Sequence, residues 1–437
     1  MRPPVRTSFR GNRAPARRWR ADILEEKWDP ALSPQVTREP ALKPDSLDGI
    51  VTAPDSERRP LTGVRALDLS RVLAGPFCGM LLADLGAEVI KVEPPWGDEA
   101  RRFGPHVDGE SAYHRLFNRS KLGIVLDLKD EGDLTRLRTL IERADVVIEN
   151  FRPGALARLG CTPAAMLELN PRLVVASITG FGQNGPLRSL PAYDLIVQAM
   201  SGLMAATGPA GGGGMRSAVS LGDLVPGLYA ALGVVAALYE RERTGRGRHV
   251  DVAMLDGLLS LLESVAMRAL HTAEAIKPLG NDHALSAPFG TYETADGTLA
   301  IAIANDPLFE RFAQALGHPE WPADPRFARD AKRARHRDAL RAEIEAALAP
   351  LSRAQALERL QTAGIPAAPI LSVREALAQP QSLAREMVVE EEDGFRTLGT
   401  PLKLAGSSLG RPRPAPALGE HDGLVERWLA EPPRTGA

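Results

Sequence analysis

Strand-like and helix-like segments alternate from Leu61 onward, and this alternation limits the folds that the chain can adopt. Residues 64–69 and EVIKVE have the apolar character of buried strands, and the helix-like PFCGMLLADLGA lies between them. Four further strand-like segments follow in the same way: KLGIVLDL, DVVIENF, RLVVASITG and RHVDVAML. Parallel strands joined by right-handed crossovers satisfy such a pattern. The sequence therefore predicts an α/β fold with a doubly wound parallel sheet.

The pattern changes near residue 280. Before the change, DGLLSLLESVAMRALH is typical of one long helix; after it, GTYETADGTLAIAIAN is typical of two strands around an Asp-Gly turn. Amphipathic helix-like segments follow, and IPAAPILS has the composition of a strand that returns to the first unit. We predict four regions: a disordered Arg/Pro-rich extension over residues 1–60, the first part of a large domain over 61–278, a small α+β domain over 279–364, and a return to the large domain with a C-terminal tail over 365–437.

Charge and cysteine content argue against several classes of protein. The net charge is −2, but the first 20 residues contain seven Arg and no acid, so the remainder is acidic, with 46 basic and 55 acidic side chains. Such a body does not favour nucleic acid as a partner. Cys78 and Cys161 are the only cysteines, too few for a disulfide framework or a cysteine zinc site, and we expect a cytoplasmic protein. Because no apolar run reaches transmembrane length and the start lacks a secretory signal, we expect no membrane partner.

Familiar cofactor motifs are missing from the predicted turns. The first strand–turn–helix, DLSRVLAGPFCGM, lacks the three-glycine spacing of a dinucleotide site, and the four glycines at 211–214 lack the Lys-Ser or Lys-Thr pair of a phosphate loop. No two of the eight histidines stand at metal-ligand spacing, and no serine lies in a nucleophile elbow. His249 is expected to be structural, and the roles of His114 and His283 stay open. The chemistry is therefore expected to rest on carboxylates and cations, without a metal.

One carboxylate stands at the head of an apolar helix-like run. In SLGDLVPGLYAALGVVAALYERERTGRG, the residues Leu228, Leu232, Val235 and Leu238 recur at helical spacing, and Asp223 precedes them. An Asp in this position is a preferred N-cap, because its carboxylate accepts backbone N–H bonds at the positive end of the helix. The residues alone leave open whether Asp223 caps the helix or takes part in chemistry.

Several ordered blocks resemble one enzyme family. They are GVRALDLSRVLAGPFCGMLLADLGAEVIKVEPPWGDEAR, FNRSKLGIVLDLK, DVVIENFRPGALARLG, NPRLVVASITGFGQNGP, AYDLIVQAMSGLMAATG, TGRGRHVDVAMLDG, GIPAAPILSVREALAQPQSLAREMVVE and ALGEH. In this order they resemble family III CoA-transferases of the CaiB/BaiF type, which include formyl-CoA and carnitine CoA-transferases, over about residues 62–430. The resemblance implies a Rossmann-like large domain built from N- and C-terminal segments, an inserted small domain, and two chains threaded into an interlocked homodimer.

The resemblance also implies a catalytic residue and a reaction. The family's nucleophile is the Asp of a Leu-Gly-Asp stretch, here Asp223. It attacks an acyl-CoA thioester and later carries CoA as an aspartyl-CoA thioester, from which a free carboxylic acid takes the CoA. CoA thioesters are then substrates, and no tightly bound cofactor is implied. The helix N-terminus is expected to keep the carboxylate ionised through N–H bonds and the helix dipole.

The family's CoA-binding positions fall on further residues of this chain. Leu73 and Ala74 match a loop that lines CoA, and Tyr193 and Asp194 match positions near the active carboxylate. The remaining matches are two residues beside the adenine and pantetheine, Asn150 and Phe151, and three cations expected to donate to phosphates, Lys121, Arg152 and Arg158.

Two departures from the family pattern bear on the substrate. Pro94 stands where some members have a CoA-contacting Arg, and PLGNDHALSAPFG lacks the glycine-rich lid of formyl-CoA transferases. The layout is more similar to members that use succinyl-CoA and dicarboxylates. One alternative is an α-methylacyl-CoA racemase of the same fold, although Ala192 and Tyr193 replace the Gly-His that precedes the Asp of racemases. A non-catalytic CoA-binding protein is the other alternative.

Overall fold

The computed structural model describes residues 59–405 and 411–430. The extension predicted for residues 1–60 therefore lies outside the described residues, except for its last two positions. The strands are β1 (Arg65–Asp68), β2 (Glu88–Glu93), β3 (His106–Val107), β4 (Glu110–Ser111), β5 (Leu122–Val125), β6 (Val146–Glu149), β7 (Val174–Thr179), β8 (His249–Ala253), β9 (Phe289–Thr294), β10 (Gly297–Ala302), β11 (Ala367–Pro369), β12 (Val388–Glu390) and β13 (Arg396–Leu398).

Sixteen α-helices occur in the described residues. They are α1 (Ala74–Asp84), α2 (Ala112–Asn118), α3 (Glu131–Arg143), α4 (Pro163–Leu169), α5 (Asp194–Met200), α6 (Leu203–Ala206), α7 (Leu221–Thr244), α8 (Met254–Ser260), α9 (Glu263–His271), α10 (Asp306–Leu316), α11 (Asp330–Arg335), α12 (Arg337–Leu348), α13 (Arg353–Thr362), α14 (Val373–Ala378), α15 (Pro380–Ala384) and α16 (Asp422–Ala430). Short 3-10 helices cover Glu99–Arg102, Leu156–Leu159 and Trp321–Ala323.

A parallel sheet of six strands forms the centre of the large unit, in the order β5-β2-β1-β6-β7-β8. This confirms the predicted α/β layout. Alternate residues of the strands face two apolar cores: Val146 and Val174 pack with α1 and α7, whereas Val147 and Val175 pack with α3, α4 and α16. The chain runs from β1 outward through β2 to β5, then crosses to β6 on the other side of β1. In such sheets the crevice at the carboxyl ends, where the strand order reverses, is the usual place for a ligand.

Local signals explain several helix boundaries, and one prediction is wrong. The Thr162 side chain accepts the N–H of Ala165 at 3.1 Å and so caps α4, with Pro163 at its first position, as predicted. The single long helix expected over DGLLSLLESVAMRALH is instead two helices, α8 and α9. The backbone φ of Glu263 is 33°, outside the helical region, so the helix cannot continue through it.

The small unit is an antiparallel sheet covered by helices. Its strand order is β11-β10-β9, and Ala295 and Asp296 form the two-residue loop between β9 and β10. Phe309, Phe312 and Leu357 lie in its core. Strand β11 pairs with β10, Ala367 lying opposite Ile301, so IPAAPILS completes the small sheet and does not return to the large one. The small unit therefore extends beyond the boundary that we predicted at residue 364.

The chain returns to the large unit through a hairpin and a last helix. The hairpin β12–β13 is held by Arg115 of α2, which pairs with Glu391 and Asp393. Trp428 of α16 donates its indole N–H to Glu88 at 3.0 Å and is buried against the sheet. N- and C-terminal segments thus share one structural unit.

Helix α7 is long and strongly apolar. The helix has 24 residues, and an 18-residue window within it has a mean hydropathy of 1.7, so its length and composition are those of a membrane span. This differs from our expectation that no apolar run would reach that length. However, 44% of the window is buried inside the protein. The core helix of a soluble protein can meet the same criteria, so this composition alone is weak evidence for a membrane span. An apolar stripe remains outside: Leu228, Leu232 and Tyr239 are 56%, 63% and 62% exposed.

Candidate active site

Asp223 lies in the first turn of α7, and it does not cap the helix. Ser220 occupies the N-cap position, and Asp223 is the third residue of the helix. Within the described residues its carboxylate makes no hydrogen bond. The capping interpretation is therefore wrong for this residue. A carboxylate free of local hydrogen bonds at a helix N-terminus is available to react.

The turn that carries Asp223 depends on a glycine. A Cβ at Gly222 would lie 2.6 Å from Val197 Cγ2 and 3.0 Å from Asp194 Oδ1, so any side chain there would push α7 away from α5. The Gly222 N–H donates to Asp194 Oδ1 at 2.9 Å. The glycine of the Leu-Gly-Asp sequence is thus required by the close approach of two helices at the site.

Asp194, at the start of α5, is a buried carboxylate with fixed partners. Gln198 donates from Nε2 to both of its oxygens, at 2.8 and 2.9 Å, and is itself fully buried. Arg216 approaches the same carboxylate at 3.5 Å. The prediction that Asp194 lies near Asp223 agrees with this geometry, because Asp194 bonds the residue next to Asp223.

Burial and the neighbouring carboxylate of Asp194 raise the pKa of Asp223 to about 7. The expectation that the helix end keeps this carboxylate strongly ionised is therefore wrong in direction. Removal from water and a second negative charge outweigh the partial positive charge of the helix end. The group titrates near neutral pH, where a nucleophile can be both partly ionised and poorly solvated.

Tyr113 of α2 belongs to the same site and escaped the sequence analysis. Burial and nearby carboxylates, that of Asp223 foremost, raise the pKa of Tyr113, so its hydroxyl stays protonated. The ring stacks edge to face with Phe103 and Phe117. Its place beside Asp223 arises from tertiary packing, for which the sequence carries no local signal.

Leu73 and Ala74 form the start of α1, next to α7. Both are buried, and a Cβ at Gly227 of α7 would lie 2.6 Å from the Ala74 carbonyl oxygen. The preceding residue, Val72, has a φ of 67°, which a β-branched residue rarely adopts. The Asp98 carboxylate holds this turn by accepting the Val72 N–H at 3.1 Å. The N-terminal turns of α1 and α7 therefore meet.

Lys121 is not a phosphate donor in this structure, which corrects our prediction. Its amine lies in the protein interior, 2.8 Å from the Asp68 carboxylate, with both side chains fully buried. It also donates to the Pro76 carbonyl oxygen at 2.9 Å and to Asn118 Oδ1 at 3.0 Å. All three ammonium protons have partners, so none remains for a ligand.

A cavity of about 440 Å³ opens at the carboxyl ends of β1, β2, β5 and β6. Phe151 and Arg158, both predicted to contact CoA, line it. Arg71, Trp96 and Lys129 line it as well and were missed, although each lies just after a strand, where a doubly wound sheet binds ligands. The Lys129 ammonium lies 5.6 Å from the centre of the Trp96 ring, as in a cation–π pair.

The other predicted CoA-contacting residues differ in their surroundings. Asn150 Oδ1 accepts the Arg71 N–H at 2.9 Å, and Asn150 Nδ2 donates to the Arg71 carbonyl oxygen at 2.8 Å. The Asn150 side chain therefore positions the loop that borders the cavity. Arg152 is exposed beside Phe151 but does not line the cavity. Tyr193 is 71% exposed at the N-cap of α5. The structure thus brings Phe151 and Arg158 together, and places Tyr193 on the Asp223 side.

A second cavity and the histidines lie outside this arrangement. The cavity, about 810 Å³, is bordered by the β12–β13 hairpin and contains none of the predicted site residues. Burial and nearby Arg101 lower the pKa of His114 to about 3, so the imidazole is neutral. The His283 ring packs at a tilt against Phe289, with ring centroids 4.9 Å apart, and His249 Nε2 lies 2.9 Å from Ser177 Oγ. In the described part of the chain, no three His, Cys, Asp or Glu residues are arranged to hold a metal ion.

Comparison with known proteins gives one consistent result. The model of CoA-transferase family III matches residues 61–422. The chain is 43% identical to the acetyl-CoA:oxalate CoA-transferase of Acetobacter aceti and 40% identical to the succinate–glutarate CoA-transferase of Agrobacterium fabrum, in each case over 87% of this chain and 98% of the relative. A CAIB/BAIF family protein from Brucella suis, known from its crystal structure, is 37% identical, with a TM-score of 0.77 over 85% of this chain and all of that one.

Proposed function

This chain belongs to CoA-transferase family III, and from that premise we propose that it moves CoA from an acyl-CoA to a free carboxylic acid through an aspartyl-CoA thioester on Asp223. The observation that carries the proposal is the Asp223 carboxylate itself, without hydrogen-bond partners in the described structure, with a pKa of about 7, at the meeting point of two helix N-termini. The cavity at the strand ends supplies the second requirement, a place for the nucleotide.

The reaction proceeds in two matched halves. An Asp223 oxygen attacks the thioester carbonyl, the C–S bond breaks, and a mixed anhydride and CoA thiolate result. The thiolate then attacks the Asp223 carbonyl carbon, which releases the donor acid and leaves aspartyl-CoA. An acceptor carboxylate attacks this thioester, re-forming an anhydride and thiolate. In the last step the thiolate attacks the acceptor's carbonyl carbon and frees Asp223.

The environment of Asp223 favours its acylated state. Burial and the charge of Asp194 penalise the ionised carboxylate, which is why its pKa is high. An ester-like or thioester-like Asp223 carries no charge and escapes both penalties. The N–H groups of Ala74 and Gly75 at the start of α1 are suited to stabilise the oxyanions that form during each attack, whereas the N–H groups in the first turn of α7 already have acceptors.

The cavity at the strand ends fits the nucleotide part of CoA. Lys129 and Arg158 line it and form no ion pair within the described residues, so they are suited to phosphates. Trp96 and Phe151 offer aromatic surface for the adenine. Arg71 is paired with Glu99 at 2.8 Å and is the less available cation. The loop from Arg71 to Ala74 then leads from this cavity to α1 and α7, along which the pantetheine would extend.

We propose a dicarboxylic acid as acceptor and succinyl-CoA or acetyl-CoA as donor. The names of similar enzymes pair acetyl-CoA with oxalate, and succinyl-CoA with glutarate, D-citramalate or mesaconate. The missing glycine-rich lid argues against formate–oxalate exchange, but it leaves oxalate among the candidate acceptors.

Racemisation is disfavoured by the surroundings of Tyr193 and Asp194. Removal and return of an α-proton require an acid/base on each face of the substrate carbon. Tyr193 is a weak base and 71% exposed, and Asp194 is held by Gln198 and Gly222. A non-catalytic CoA-binding protein would have no need for the unpartnered carboxylate of Asp223.

We further propose an interlocked homodimer in the cytoplasm. The exposed stripe of Leu228, Leu232 and Tyr239 on α7 is a surface that a second chain would cover. Cys78 and Cys161 are both free and buried, which is compatible with a reducing compartment.

Trapping the enzyme-bound intermediate tests the proposed function. The protein is incubated with acyl-CoA alone, treated with hydroxylamine, and the peptide that contains Asp223 is analysed by mass spectrometry. We expect a hydroxamate on Asp223, because a strong amine nucleophile cleaves anhydrides and thioesters. Asp223→Ala and Asp223→Ser serve as controls and should give neither adduct nor transfer. Turnover by these variants would contradict the assignment.

A further inference from the structure

Arg216 is held in a defined position beside Asp194, the carboxylate that accepts the N–H of Gly222, next to Asp223. It lies in the segment between α6 and α7, and the next residue, Ser217, donates its N–H to Gln198 Oε1 at 2.9 Å. The Arg216 Nε donates to the Ser217 carbonyl oxygen at 2.9 Å. Because Gln198 is fully buried in α5, these bonds tie the arginine to the same helix that carries Asp194.

The guanidinium of Arg216 is only loosely engaged. Its Nη2 lies 3.5 Å from Asp194 Oδ2, a long contact for a charged pair. Asp194 already accepts hydrogen bonds from Gln198 and from the Gly222 N–H at 2.8 to 2.9 Å, so it is satisfied without the arginine. The Arg216 side chain is 47% exposed, and apart from the Nε–H that Ser217 accepts, its other guanidinium protons have no acceptor among the described residues.

Charge makes this position significant. Asp223 and Asp194 place two carboxylates at the site, and the charge of Asp194 helps to raise the pKa of Asp223. A substrate with a carboxylate beyond the reacting one brings a further negative charge. Such a group needs a cation with a free, planar pair of donors, which Arg216 provides.

We propose that Arg216 binds the second carboxylate of a dicarboxylic substrate in a bidentate pair and so selects dicarboxylic over monocarboxylic acyl groups. The inference rests on the proposed function and extends it to one residue. Because donor and acceptor acyl groups form the same kind of anhydride on Asp223, Arg216 serves both halves of the reaction. With a monocarboxylic acid the guanidinium stays with Asp194.

Acceptor preference tests the assignment. Acetyl-CoA is the donor, since its acyl group has no second carboxylate, and each dicarboxylate is compared with the monocarboxylate of equal carbon number: succinate with butyrate and glutarate with pentanoate. For Arg216→Gln we expect kcat/KM for the preferred dicarboxylate to fall roughly 50-fold, as for the loss of charged hydrogen bonds. For its monocarboxylate the change should stay below about threefold. Arg216→Lys keeps the charge without the bidentate geometry and should fall between.

The matched control is Arg246→Gln, an exposed arginine beyond the far end of α7. It should leave both acceptors unaffected. Equal losses for both acids in Arg216→Gln, or no loss for either, would overturn the proposal and make Arg216 a structural partner of Asp194.

A binding measurement separates this idea from the aspartyl mechanism. Calorimetric titration of glutarate and of pentanoate into the enzyme with free CoA requires no chemistry at Asp223. We expect Arg216→Gln to weaken glutarate binding only. If glutarate binds equally to both proteins, the role of Arg216 is refuted even where the Asp223 adduct is trapped; if the adduct is absent but binding is selective, the proposed function fails and the role of Arg216 stands.

Discussion

Replacing Asp223 with asparagine should abolish transfer and, at alkaline pH, stabilise the fold. Asparagine has no carboxylate to acylate, so we expect turnover to fall by several orders of magnitude. It also removes a charge that the folded protein holds unfavourably. Loss of activity with a gain of stability distinguishes a nucleophile in a charge-penalising site from a residue needed for folding.

The size of the gain follows from the pKa of Asp223. The folded protein raises that pKa from 3.8 to about 7. At about 1.4 kcal/mol for each pH unit, the ionised side chain costs up to about 4 kcal/mol of the free energy of unfolding. With an unfolding entropy of about 2 cal/mol/K per residue, this corresponds to at most about 5 °C in Tm for a chain of 437 residues.

The gain in stability from Asp223→Asn depends on pH. Because the folded state binds the Asp223 proton more tightly than the unfolded state, stability from this group is complete below about pH 4 and declines as pH rises towards 7. Above pH 7 the penalty is constant. The difference in Tm between Asp223→Asn and the unchanged protein should therefore be largest at pH 8 and vanish near pH 4.

Thermal unfolding followed by calorimetry at pH 8, 6 and 4 measures the effect. Asp256→Asn is the control, since Asp256 is an exposed acid in the first turn of α8 and should lose only a few tenths of a kcal/mol. A Tm of Asp223→Asn equal to or below that of the unchanged protein at pH 8 would refute the buried-charge reasoning, and retained turnover would refute the nucleophile.

Four further outcomes concern pH, CoA, assembly and the N-terminal region. Adduct formation on Asp223 should rise about tenfold per pH unit below pH 7 and level off above, because the ionised carboxylate attacks; a rate that is flat from pH 5 to 8 would contradict this. Lys129→Gln and Arg158→Gln should each raise KM for acyl-CoA roughly tenfold and leave KM for acyl-pantetheine unchanged, because only CoA carries the nucleotide; equal effects on both thioesters would remove the cavity from nucleotide binding. Sedimentation at nanomolar concentration should show a dimer, since threaded chains cannot separate without unfolding, and a monomer would count against interlocking. Removal of the residues before Arg59 should change neither Tm nor turnover, as their Arg/Pro-rich composition suggests; a drop in either would show that they contribute.

The large sheet was predictable because its strands are buried on both faces. Such strands appear as runs rich in apolar residues, as in β6 and β7, and the helices between the strands fix a parallel order. The break between α8 and α9 was not predictable, since Leu261 and Leu262 continue the apolar pattern. The pairing of β11 was also missed, because the sheet that a short strand joins is decided by tertiary contacts.

At the candidate site, the family resemblance supplied the proposed nucleophile, Asp223, but not its surroundings. The Leu-Gly-Asp stretch pointed to Asp223, yet the pKa of that residue depends on Asp194, which only the fold brings near. Lys121 was misassigned for the same reason, since a lysine in a sequence does not reveal that Asp68 pairs with it in the core. Trp96 and Lys129 were within reach of prediction, because both follow strands whose carboxyl ends border the cavity.

The buried charges beneath the turn at Val72 give this part of the protein an unusual response to heat. Lys91 pairs with Asp98 at 2.9 Å, and both side chains are 1% exposed. Hydration of ions carries a strongly negative entropy, so the cost of keeping these charges from water declines as the temperature rises. The apolar core has no comparable gain, because its stabilisation per unit area levels off on heating. Warming therefore favours the anchor that holds the loop before α1 relative to the core beneath it, and an enzyme from a hotter habitat would have reason to keep this pair while other parts of its structure changed.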